Sequence, residues 1–193
     1  MPSCAAAWSR PMFSITREPV PADALLNTFR GGAHPETWGR YGDCFAVDFA
    51  GEAGLADFVF AFYTSRLFGV ERFLLRMLIN APSSRADARA VADGRADKFA
   101  AWYVGQRTPT QLLMCDRYER TRSWFCVAPI GGGVTRLRFG SAVAASSGER
   151  PGVSGHPDVP RRPAVFGLML HFHVIYSQAL LHAAKKNLQS RGR

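Results

Sequence analysis

The stretch VFGLMLHFHVIYSQALLHAA, Val165 to Ala184, decides how the rest of the chain is read. From Pro163 to Ala184 there is no Asp, Glu, Lys or Arg, and Lys185 and Lys186 follow at once, so the run is long enough to span a bilayer. Its pattern argues otherwise. His171, His173, Ser177, Gln178 and His182 interrupt it, whereas Val165, Met169, Phe172, Tyr176, Ala179 and Ala183 recur at 4-3-4-3-4 spacing and form one stripe. One-sidedness predicts a core helix packed on another layer, not a membrane span.

That other layer lies upstream. Phe99 to Val104, Gln111 to Asp116, Arg122 to Val127 and Thr135 to Val143 are short runs rich in aromatic and β-branched residues. Thr108-Pro109, the charged run Asp116 to Arg120 and Gly131-Gly132-Gly133 separate them, which predicts a four-stranded antiparallel meander. Arg136 and Arg138 alternate with Leu137 and Phe139, as on a sheet packed on one face and wet on the other. Further back, Cys44 to Phe49 alternates as a first strand, and Leu55 to Ile79 carries a helical period with a break at Thr64-Ser65 or Gly69. Ser84 with Asp87 three residues on starts another helix, which the Arg89–Asp93 pair supports and Gly94 ends. Two to three helices therefore stand between strand one and the meander. Residues 1–43, with Pro2, Pro11, Pro19, Pro21 and Pro35, read as an irregular arm with one short strand near Phe13 to Arg17. Residues 44–193 form a single α+β domain, with a mobile surface loop from Ser146 to Arg162.

The size fits this reading. A chain of 193 residues, 47% hydrophobic and 20% charged, buries roughly 70% of its unfolded surface, which excludes a disordered or fibrous protein. The net charge of +9 comes from 24 cations, 21 of them Arg, beside 27 Ala, a bias that GC-rich coding alone produces. The cations are spread from Arg10 to Arg193, so they point to a solvated surface and to no specific nucleic acid. Cys4, Cys44, Cys115 and Cys126 contain no CxxC pair, and MPSCAAAWSRPMF lacks the charged head and apolar run of a secretory signal. Free thiols and a cytoplasmic location are the expectation, with Cys44, Cys115 and Cys126 acting as small buried hydrophobes.

The order of elements resembles the helix-grip fold of the START, Bet v 1 and polyketide-cyclase superfamily. The likeness covers roughly Asp43 to Gln189 and rests on that order, on TRSWFCV at Thr121 to Val127 and on the helix Val165 to Ala184. It implies a curved antiparallel sheet around the C-terminal helix, and between them a cavity for a small apolar molecule such as a lipid, polyketide or hydroxylated aromatic. Aromatics make up 12% of the chain. The residues expected to turn inward and line such a cavity are Tyr63, Trp102, Arg122, Trp124, Phe139, Met169, Phe172 and Tyr176.

Chemical signatures are sparse. His171 and His173 diverge by about 200° on a helix, and His171 lies about 16 Å from His182, so no metal site is expected. Gly152-Val153-Ser154-Gly155 falls short of a nucleophile elbow, and the Gly131 run lacks the lysine and helix of a phosphate cradle. Small-molecule binding without a cofactor is the leading expectation. The alternatives are a cyclase, dehydratase or hydrolase on the same scaffold, using His173 or Asp48 as general acid or base, and an Arg-rich interaction or nucleic-acid-binding surface. The apolar supply permits a homodimer without requiring one.

Overall fold

Alternation along CFAVDF places Phe45, Val47 and Phe49 on one face of a strand, and those three side chains are buried. The computed structural model describes residues 15–29, 41–69, 83–116, 121–143 and 163–191. In chain order these form β1 (Thr16–Arg17), β2 (Tyr41–Ala50), α1 (Leu55–Tyr63), α2 (Arg85–Ala92), β3 (Lys98–Phe99), β4 (Trp102–Arg107), β5 (Gln111–Asp116), β6 (Thr121–Gly131), β7 (Val134–Val143) and α3 (Pro163–Arg191). The strands make one open antiparallel sheet in the order β1-β2-β7-β6-β5-β4-β3. The fold is α+β, with the C-terminal helix packed on the sheet, a shape compatible with a helix grip.

Several boundaries follow directly from local chemistry. The Ser84 side chain accepts from the Asp87 amide while the Asp87 carboxyl accepts from Ser84, a complete capping box. Arg89 pairs with Asp93 one turn on, at 3.1 Å. α1 ends at Tyr63, beside the expected break, and residues 66–69 are helical again. Gly131, Gly132 and Gly133 all have positive φ, as the β6–β7 hairpin requires. The remainder of the run to Ile79, the tip at 117–120 and the loop from Ser146 to Arg162 lie outside the described residues.

Three expectations need correction. The single strand over Phe99 to Val104 is two strands, because Phe99 pairs with Trp102 across a turn at Ala100 and Ala101. Ala100 takes φ +52° there, and no Gly, Asn or Asp marks the turn. The meander thus has five strands, and the sheet seven. On α3 the buried seam runs through Ser177, Leu181, Ala184 and Leu188, one residue later than the stripe through Tyr176, Ala179 and Ala183. Counting only apolar residues misses this, because Ser177 and Lys185 are themselves buried.

The sheet is also covered on both faces. On the inner face, α1 and α3 pack over Phe45, Phe125, Leu137 and Phe139. On the outer face, Ala24 and Leu26 from the segment 15–29 close over Cys44, Leu113, Trp124 and Cys126. Gly140 makes that closure possible, since a Cβ there would lie 2.8 Å from the Asp43 carbonyl and 3.0 Å from the Trp124 ring.

Candidate functional site

Strand register builds the site row by row on the inner face. Phe139 pairs with Phe45 and Phe125, and two positions along, Ser141 pairs with Asp43 and Ser123. An aromatic row therefore adjoins a polar one. The rings pack closely: the Phe62 centroid lies 4.9 Å from Phe125, edge to face at 86°, and 4.8 Å from Phe139, tilted at 34°.

Between these rows and α3 lies a cavity of about 290 Å³. Phe62, Tyr63, Phe68, Phe125 and Phe139 supply its apolar wall, with Trp102, Tyr176 and Leu180. Its polar end is made by Thr121, Arg122, Ser123 and Ser141 from the sheet and by His173 and Ser177 from the helix.

A chain of contacts organises that end. The Asp43 side chain has no solvent exposure, and its Oδ1 accepts from the Ser141 amide at 3.0 Å and from Ser141 Oγ at 2.6 Å. Ser141 Oγ also lies 2.6 Å from His173 Nε2. A serine hydroxyl has one proton; with that proton on the Asp43 carboxylate, Nε2–H of His173 is the donor to Ser141. His173 Nε2 stands 3.9 Å from Asp43 Oδ2, so a protonated imidazole would have a buried counter-charge.

Of the residues expected to line the cavity, Tyr63, Trp102, Arg122, Phe139 and Tyr176 border it. Arg122 does so from a strand position of outer-face parity, with its guanidinium donating to the Thr121 carbonyl at 3.2 Å. Trp124 does not border it. It is buried in the outer core, where Nε1 donates to Gln111 Oε1 at 2.8 Å. Met169 and Phe172 belong to α3, but their side chains lie outside the described residues. Asp48 also faces outward, paired through both oxygens with Arg136 at 2.8 and 3.1 Å, and Glu18 contacts Arg136 and Arg138. It is no candidate for acid–base work in the cavity.

Asp43, Ser123, Ser141 and Ser177 are site residues that the sequence reading missed. Asp43 and Ser141 were legible in principle, because each shares parity with buried neighbours, Phe45 and Phe139. Cys44 and Cys126 are buried as expected, and burial pushes the Cys44 thiol up to about 12 and raises Cys126 as well, whereas Cys115 is only half-buried. Among the described residues no group of three or more His, Cys, Asp or Glu side chains is placed to hold a metal ion, and no helix is long and apolar enough to cross a membrane. Comparison with protein-family models, curated proteins and solved structures finds no match to the chain.

Proposed function

We propose that the protein binds a small apolar or aromatic molecule in the cavity between the inner face of the sheet and α3. The observation that carries this reading is about 290 Å³ of space walled by aromatic rings inside the main core. A concave wall of packed rings presents many apolar atoms to a body seated against it, and the summed dispersion contacts favour an apolar or aromatic ligand. The strand order, with β2 beside β7 and the terminal helix across the sheet, supports a member of the START, Bet v 1 and polyketide-cyclase superfamily.

One contact favours a second reading, an enzyme of cyclase, dehydratase or hydrolase type on the same scaffold. His173 borders the cavity and is tied through Ser141 to buried Asp43, an arrangement suited to a general acid or base. Substituting His173→Gln separates the two readings. An enzyme loses turnover of its substrate while retaining binding; a binding protein changes only in affinity.

The primary test is native mass spectrometry with organic extraction, beside a thermal-shift screen of fatty acids, sterols and aromatic polyketides. At a ligand concentration of about 100 Kd the folded state gains about 2.7 kcal/mol, which for a chain of this length raises Tm by about 5–10 °C. A protein that copurifies empty and is unmoved by every class overturns the binding reading.

A further inference from the structure

Four polar side chains border the cavity where the sheet meets α3. Ser123 and Ser141 are cross-strand neighbours on β6 and β7, and His173 and Ser177 lie one turn apart on the same side of α3. Ser141 and His173 hydrogen-bond to each other at 2.6 Å. Ser177 is 1% exposed and Ser123 is half-buried; both border the cavity, and among the described residues neither hydroxyl has a hydrogen-bond partner. Ser177 does not turn back to the His173 carbonyl, the usual resort of a serine inside a helix.

A hydrocarbon placed against these hydroxyls would strip them of water and return nothing. A ligand oxygen would satisfy both. The size of the space points the same way, because about 290 Å³ lies at the bottom of the roughly 300–1,000 Å³ range of ligand pockets and suits a compact ligand. The rings of the adjoining row, with Phe62 from α1, suit a flat body.

Resting on the reading of the cavity as a ligand site, we infer that its ligand is a compact oxygenated aromatic, two or three rings in size. Its hydroxyl or carbonyl oxygen lies between Ser123 and Ser177, and its rings lie against Phe62, Phe125 and Phe139. Ser123 and Ser177 are then the residues that discriminate between ligands, and hydrocarbons and long acyl chains are rejected.

The test uses naphthalene and naphthol, which share a ring system and differ by one hydroxyl, titrated calorimetrically into the full chain and into Ser123→Ala and Ser177→Ala. Both substitutions remove a single oxygen, and circular dichroism checks that the fold is kept. The wild type is expected to favour naphthol by about 10-fold, falling to about 2-fold or less in the variants, the size of one or two net hydrogen bonds. If both probes bind but the preference is the same in wild type and variants, the assignment of these serines is overturned and the cavity reading stands. If neither probe binds, the aromatic assignment is overturned, while the cavity reading falls only if the wider screen of fatty acids, sterols and polyketides is also silent.

Discussion

Ser141 is the residue on which the inner face turns from apolar to polar. Its amide and its hydroxyl both bond to Asp43, a carboxyl group shut off from solvent. Ser141→Ala therefore leaves a buried acceptor short of one donor and is expected to lower stability by about 1–3 kcal/mol, read from urea midpoints. Cys44 gives a pH signature. Its thiol titrates at about 12 in the fold against an ordinary 9.0, so above pH 9 the unfolded chain sheds a proton that the folded chain keeps. The stabilisation is whole below pH 9 and declines as pH rises toward 12, by up to about 1.4 kcal/mol per pH unit. Urea midpoints of wild type and Cys44→Ala, compared from pH 8 to 10.5, should converge as the pH rises. Not every residue assignment was legible in the sequence. TRSWFCV gives no alternation to count, because Trp124 and Phe125 are both buried, on opposite faces of a sheet that is covered twice. A one-residue error of parity then exchanges cavity for outer core, and it did so for Trp124.

At the scale of elements the sequence was most legible where backbone chemistry is local. The capping box of α2 is complete, and Ser84→Ala is expected to cost about 1 kcal/mol, seen as a drop in Tm. The β3–β4 turn was invisible because an alanine occupies the left-handed position that Gly, Asn or Asp usually announces. Ala100→Val, placing a branched side chain at φ +52°, should destabilise more strongly than the same change at a surface strand position. The seam of α3 escaped the apolar count because its inward side includes a serine and a lysine. Leu181 is at its centre, fully buried, so Leu181→Ala should cost about 2–5 kcal/mol, whereas Ile175→Ala, at a position 58% exposed, should cost little.

At the scale of the whole molecule the two faces are separate cores. The outer one is tied together by Gln111, whose Oε1 accepts from both the Trp124 indole at 2.8 Å and the Leu25 amide at 2.9 Å, while its Nε2 donates to the Asp23 carbonyl. Removing residues 1–29 should strip that cover, shift Trp124 emission to longer wavelength and lower Tm. Gly140→Ala should produce a milder version by pushing on the Asp43 carbonyl and the Trp124 ring.

Such a sheet works as a partition between two kinds of constraint. Behind it, the arm, Gln111 and Trp124 hold the chain folded with no reference to any ligand. In front, Phe62, Phe125 and Phe139 are part of the main core and costly to truncate, whereas Ser123 and Ser177 border the cavity and can change without opening a void in the outer core. A sheet divided in this way lets the chemistry of the cavity's polar end vary while the outer cover stays intact.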